Sequence, residues 1–360
     1  MTVFLVIVVL FVLILVHEVG HFIAAKISGV KVEELGIGYP PRAWRLGKRG
    51  DTEYTINWIP FGGFVRLFGE EGAHERSLES FAGAGRLKQA CILVAGVFMN
   101  MLVAWILFTI ALHMGIPRSV EVPGPGVSLV ISEVVQGSPA DVARLRPGDL
   151  IKGMIDNRGI ELADLSPASV AAFVSERGGQ RIMLTSVQNG VSVESIVTPA
   201  NAVIPGAGDR AGIGIGLVLV SSQPLGWIAS ITGAFSEMGN AFIRIAWNVF
   251  DLIKNAVLGS PDFASIIGPV GLVSVVGDAA ETGFAHMLAL AAFISVNLAV
   301  INLIPIPALD GGRLAILGVE SILRRPAPKL AIYILNLVGI GAILLLMVVV
   351  TFQDIARLLV

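Results

Sequence analysis

Four stretches of the chain are almost uninterrupted in apolar residues: Val3 to about Ala25, about Ala90 to Met114, about Phe284 to Ile306, and about Leu330 to Val350. At about 1.5 Å of rise per residue the first covers roughly 34 Å, enough to cross a hydrocarbon core of about 30 Å. The pattern predicts four transmembrane helices. The first run lacks a basic leading region and a small-x-small cleavage site, so it is expected to stay attached as a helix rather than leave as a signal peptide. A fifth apolar stretch, Leu225 to Gly259, behaves differently. Glu237, Asn240, Arg244, Asn248 and Asp251 recur in it at spacings of three and four, which puts them on one helical face. This predicts an amphipathic helix lying on the membrane surface rather than a fifth span.

Between the first two spans the segment Lys31–Lys88 is rich in glycine and alternates apolar and polar residues over Tyr54–Asn57 and Gly63–Phe68. These read as short strands of a hairpin, with Pro60-Phe61-Gly62-Gly63 as the turn. From Val122 to Leu217 the pattern changes to short β-rich runs (Val127–Val135, Leu150–Ile155, Arg181–Val187, Val191–Val197) and two helical segments (Pro139–Leu145, Pro167–Glu176). That is a small α+β domain of roughly a hundred residues. The expected organisation is 1–121 with two spans and the β-element, 122–217 the α+β domain, 218–283 the surface helix and a linker, and 284–360 the last two spans. The order strand, Gly-Ser-Pro-Ala, helix, Arg-Pro-Gly-Asp, strand resembles the circularly permuted PDZ domains of bacterial membrane proteases, with Arg144 where that family often has glycine. Gly212-Ile213-Gly214-Ile215 reads either as the groove strand of such a domain or as a plain glycine-rich strand.

Composition agrees with a membrane protein: 54% of residues are hydrophobic and 14% charged. A net charge of −2 and the lack of a basic run argue against nucleic acid as a partner. The single Cys91 cannot form an internal disulfide and reads as a small apolar helix residue. Basic residues set the expected orientation. Ten Lys/Arg fall between Lys26 and Lys88, and Arg313, Arg324, Arg325 and Lys329 follow the third span. The ten in 115–283 are spread over nearly three times the length. The first helix is therefore expected to run from outside to inside, leaving the α+β domain and both termini outside the cytoplasmic membrane.

Three ionisable residues interrupt the first span: His17, Glu18 and His21. Residues four apart on a helix point within about 40° of each other, so the two histidines can grip one metal ion. Glu18 follows the first of them at the position of a general base in zinc metalloproteases. Unpartnered, a charge at the centre of a span costs on the order of 2.5 kcal/mol or more, which disfavours plain interhelical packing as their role. A catalytic zinc takes three protein ligands, and Asp310 is the candidate for the third. It precedes Gly311-Gly312 at the end of a span that also runs outside to inside, and so arrives at a depth similar to that of His17 and His21. His74 reads as a solvated loop residue beside Glu70, Glu71 and Glu75, and His113 and His286 lie near the outer span ends, away from the metal.

His17-Glu18-Val19-Gly20-His21, the run Asn302-x-x-Pro305-x-Pro307-x-Leu309-Asp310-Gly311, and the PDZ-like domain between them resemble the bacterial site-2 proteases, intramembrane zinc metalloproteases. The resemblance covers nearly the whole chain. It implies one Zn2+ per chain with Asp310 as third ligand, and a substrate-binding part of the third span shaped by Asn297, Asn302, Pro305 and Pro307. It also implies a membrane-reentrant β-element (Gly36-x-Gly38 and the hairpin through Gly63-Phe64-Val65) whose edge pairs with an unwound substrate. Ala95-Gly96-Val97-Phe98-Met99-Asn100 resembles a family pattern that usually has proline at the place of Val97.

The expected activity is hydrolysis of peptide bonds in transmembrane segments of single-pass proteins, such as anti-sigma factors or signal-peptide remnants, in regulated intramembrane proteolysis. Membrane lipid and a peptide ligand of the PDZ-like domain are the other expected partners, although that domain reads equally well as a size filter. Asn302 could bind the substrate backbone or oxyanion, or make an interhelical hydrogen bond. A metal transporter or sensor would explain neither Glu18 nor the PDZ-like domain, and a silent scaffold would not need an intact ligand set.

Overall fold

The computed structural model describes residues 1–70, 77, 79–188, 190–201, 210–259, 267–325 and 327–359. It divides into two compact units, one formed by Met1–His113 with Leu225–Val360 and the other by Met114–Pro224. Among the described residues, four helices of the first unit are long and apolar enough to cross a membrane: α1 (Thr2–Ser28), α2 (Arg86–Met114), α7 (Phe284–Leu303) and most of α9 (Lys329–Leu359). The chain is a polytopic membrane protein.

Hydropathy alone does not show which face of such a helix meets protein, because lipid tails are as apolar as leucine. On α1 the answer is a stripe. Val6, Leu13, His17, Gly20, His21 and Ala25 are buried, while Phe4, Val8, Val12, Ile23 and Ile27 are exposed. The helix stops at Gly29, whose φ of 78° is the left-handed C-cap conformation open to glycine, and the Val30 N–H reaches back to the Ala25 carbonyl at 2.9 Å.

The chain then enters β1 (Val32–Arg49) and β2 (Thr52–Leu67), which are longer than the short strands read from the sequence. The two expected strands do not pair with each other. They flank Glu34–Ile37 instead: Leu35 is opposite both Tyr54 and Val65, and Ile37 opposite both Ile56 and Gly63. The far half of β1, Arg42–Arg49, pairs with Thr52–Asn57 around a turn at Gly50-Asp51. Register comes from tertiary pairing, which alternation within one strand cannot encode. Glu34, only 4% exposed, is held by Arg42, Arg66 and the Thr55 hydroxyl. Trp44 and Trp58 are each 72% exposed.

Two helices of this unit, of 14 residues each, are too short to read as spans. The presumed linker contains α6 (Pro269–Thr282), packed on α1, α7 and α9. The buried Asp354 of α9 caps its start, accepting from the amides of Gly268 (3.2 Å) and Gly271 (2.7 Å). Asp354→Ala should therefore accelerate amide exchange at Gly268 and Gly271 by roughly 2- to 30-fold, since one lost cap is worth about 0.5–2 kcal/mol. Unchanged exchange would show that the cap is dispensable. The second, α8 (Asp310–Leu323), begins where a link was expected. The amphipathic stretch forms α5 (Trp227–Val257), packed on α7. Its buried face is Ser230, Ala234, Met238, Ala241 and Ile245, and Asn240, Arg244, Asn248 and Asp251 are exposed. Its start runs beside α2: the Trp105 indole donates to the Ile231 carbonyl (3.0 Å), and the His113 ring stacks on Trp227 at 3.9 Å.

The second unit is a six-stranded sheet in the order β3-β8-β4-β5-β6-β7. Its strands are β3 (Arg118–Val120), β4 (Val127–Val134), β5 (Leu150–Asp156), β6 (Ile182–Gln188), β7 (Val191–Val197) and β8 (Ile215–Ser221). Helices α3 (Pro139–Val142) and α4 (Pro167–Ser175) each carry an N-capping serine, Ser138 and Ser166. The sheet takes in Arg118–Val120 and residues up to Ser221, so the unit extends beyond 122–217 on both sides. Leu129, Ile131, Met154, Phe173, Ile182 and Leu184 form its core. Arg144 has φ 61°, a left-handed conformation that costs a residue with a Cβ roughly 1–2 kcal/mol and glycine nothing. A groove of about 560 Å³ runs between α4 and the segment Gly212–Ile215.

Candidate metal centre

Four side chains of the sequence reading come together in the first unit. His17 Nε2 lies 2.9 Å from Asp310 Oδ2, His21 Nε2 lies 3.2 Å from the same oxygen, and the two imidazole nitrogens are 3.1 Å apart. Asn302 Nδ2 is 3.4 Å from His17 Nε2. Both histidines are buried, at 6% and 8% exposure. Glu18 stands beside the cluster without belonging to it.

Three elements set this geometry. On α1 the four-residue spacing aims both rings at one point. Helix α2 approaches closely enough that a Cβ on Gly20 would sit 2.5 Å from the Ala95 carbonyl oxygen, the close crossing that small residues permit between membrane helices. The next residue, Gly96, faces both rings, and a Cβ there would lie 2.4 Å from His21 Nε2 and 2.6 Å from His17 Cε1. Asp310 comes from the break between α7 and α8. The Ile306 amide bonds the Ile304 carbonyl, Ala308 adopts φ 78°, and its amide is held by Asn336 Oδ1 of α9 at 3.2 Å. The chain then folds back on the start of α8: a Cβ on Gly311 or Gly312 would meet the Ile304 or Ile306 carbonyl oxygen at 2.3 or 2.2 Å. Pro305 and Pro307 thus shape the link that delivers Asp310, with Gly339 of α9 against the Pro307 carbonyl.

The donor set fits zinc. Ligand atoms at about 2.0–2.1 Å from a tetrahedral ion stand roughly 3.3 Å from one another, close to the three separations present. Two nitrogen lone pairs and a carboxylate converge only around protons or a cation. The strand Gly63-Phe64-Val65 runs along the helix at this level: a Cβ on Gly63 would sit 3.8 Å from Glu18 Cγ, and one on Gly62 2.5 Å from an Ile14 methyl. The Phe64 ring packs over Gly36.

Other sequence candidates lie elsewhere. Asn297 is half-buried on α7 and makes no side-chain hydrogen bond among the described residues. His113 is engaged with Trp227 and with the Leu225 carbonyl at 2.8 Å. His74, Glu71 and Glu75 lie outside the described residues, while Glu70 pairs with Arg313. The sequence reading gave no role to Ile92, Gly96 and Asn100. Their spacing of four on α2, matching that of His17 and His21, is the signal that finds them.

A membrane-spanning chain whose first span and the break after its third bring two histidines and a carboxylate together, with a glutamate alongside, has the build of a membrane metalloprotease. The chain belongs to peptidase family M50, the site-2 protease family, whose model matches residues 5–347. It is 32% identical over 354 residues to a protein of Clostridium perfringens named as a zinc metalloprotease, covering 95% of each chain. It is 27% identical over 428 residues to the zinc metalloprotease RasP of Shouchella clausii, covering 96% of this chain and 97% of that one. A chloroplastic membrane metalloprotease of Arabidopsis thaliana shares 30% identity over 324 residues, covering 87% of this chain and 70% of the relative. The protein is a zinc metalloprotease of the membrane.

Proposed function

We propose that the chain cuts single-pass membrane proteins within their transmembrane segments, with His17, His21 and Asp310 as zinc ligands and Glu18 as general base. The observation that carries this reading is the position of the cluster on the buried stripe of a lipid-spanning helix, next to an edge strand. Zinc, when bound, supplies an electrophile for a peptide carbonyl and acidifies water. Glu18 takes a proton from the attacking water and returns it to the leaving amine. Asn302, whose Nδ2 lies 3.4 Å from His17 Nε2, donates to the carbonyl oxygen as charge develops on it.

A helical substrate hides its carbonyls in bonds between residues four apart and must unwind before it can be cut. The strand Gly63-Phe64-Val65 pairs with Glu34–Ile37 on one side only among the described strands, so its other edge is free to accept an unwound segment beside Glu18. The second unit, with its groove between α4 and Gly212–Ile215, is read as a PDZ-like domain that takes a peptide end. By the charge distribution it lies outside the cytoplasmic membrane, with the cluster in the inner half of the bilayer. Anti-sigma factors and signal-peptide remnants are the expected substrate types.

The test uses purified protein in vesicles with a single-pass substrate, in three versions: native, with a Gly-Pro pair in the membrane segment, and with that segment replaced by leucines. Cleavage mapped by mass spectrometry should fall inside the segment, run faster with Gly-Pro and slower with polyleucine, stop with a chelator, and return with zinc. Cleavage confined to residues outside the bilayer would overturn the reading.

A further inference from the structure

Each histidine of the cluster has a second ring nitrogen, and the structure gives each one a partner on α2. His21 Nδ1 donates to the Ile92 carbonyl at 2.8 Å, and His17 Nδ1 lies 3.3 Å from the Asn100 amide. Ile92, Gly96 and Asn100 thus form one stripe at a spacing of four: a carbonyl for one ring, an amide for the other, and between them a residue whose missing side chain leaves room for both rings. Asn100 is fully buried, and its backbone carbonyl accepts from the Ser295 hydroxyl of α7 at 2.8 Å, which ties three helices together at this level.

The Ile92 carbonyl can only accept, so it fixes the proton of His21 on Nδ1 and leaves Nε2 with a bare lone pair. His17 needs the same tautomer to offer Nε2 to a metal. Its Nδ1–H then requires an acceptor, and the partner at hand is Asn100. The nitrogen and oxygen of an asparagine amide exchange by a half-turn about χ2, and the hydrogen-bonding demands of the neighbours decide between them. Asn100 Oδ1 is buried and has no hydrogen-bond partner among the described residues as the amide stands. For the amide the exchange is neutral, since one half stays unpaired either way, so the decision falls to His17.

We infer that Asn100 is a positioning residue of the zinc site, accepting the Nδ1 proton of His17 through Oδ1 and so holding its Nε2 lone pair toward the ion. This rests on His17 being a ligand, as proposed above. Removing such an outer partner typically weakens metal binding 10–100-fold.

The experiment measures zinc occupancy of the detergent-purified full chain against a series of chelator-buffered free zinc concentrations, with circular dichroism of the metal-free form as the folding control. Asn100→Leu, similar in size but without an acceptor, should raise the free zinc needed for half-loading by about 10–100-fold. Asn100→Asp, which keeps an acceptor at the same place, should stay within about threefold of the native chain. If Asn100→Leu does not fold, Asn100→Ser, too short to reach the ring, takes its place. An unchanged midpoint in the folded acceptor-free variant, or equal weakening in Asn100→Asp, overturns the inference. His17→Ala keeps the two proposals separable: it should lose zinc whatever Asn100 does, and if it loads like the native chain the ligand assignment itself fails.

Discussion

Glu18→Gln is expected to lower cleavage of a single-pass substrate by roughly 10²–10⁴-fold while the protein keeps one zinc per chain. The cluster of ligand atoms consists of His17, His21 and Asp310 and does not include Glu18, so the substitution removes no ligand. Glutamine matches glutamate in size, and the space it fills beside Gly63 is unchanged. What disappears is a group able to accept a proton from water. Metal content by atomic absorption and product formation in vesicles read the two halves of the expectation separately. Full activity would remove Glu18 from the base role, and loss of zinc would make it a ligand instead.

An equally severe outcome is expected from a residue with no polar atom in its side chain. Gly96→Val should abolish stable zinc binding, and activity with it. The first carbon of any side chain at this position would lie 2.4 Å from His21 Nε2 and 2.7 Å from His17 Nε2. Both are atoms of rigid rings, with no flexible end to swing aside. Either the rings rotate off their common point or α2 retreats, and a displacement of about an ångström exceeds the roughly 0.5 Å within which a first coordination sphere must be held. Free zinc at half-loading should rise by more than about 100-fold. Gly341→Ala on α9 is the matched control, because nothing lies within 4 Å of its added carbon and alanine is the better helix former. Normal loading of Gly96→Val would mean that α2 does not hold the histidines.

The spans were legible because length and apolarity report crossing a bilayer directly, and His17, Glu18 and His21 were legible because ionisable groups stand out in such a run. Asp310 needed the further step of depth, which the alternation of span directions supplied. What could not be read is instructive about the medium. The run Ala95–Asn100 stood out by resemblance, but the roles of Gly96 and Asn100 did not, because in lipid no solvent contrast separates a face toward protein from a face toward tails. The pairing of Glu34–Ile37 between two segments of β2 depends on register across a loop, and α6 is recognisable only once Asp354, more than eighty residues later in the chain, is seen to cap it. In the α+β unit the reading was closest to the observed strands, since there water restores the contrast on which alternation rests.

Asp310 joins His17 across 293 residues of chain, the longest sequence separation among the contacts of the cluster. A ribosome adding about 5–20 residues per second takes roughly 15–60 s to travel that distance. On the ligand assignment proposed above, the first two ligands are made that long before the third. The site so assigned is therefore complete only once the chain beyond the third span has been made.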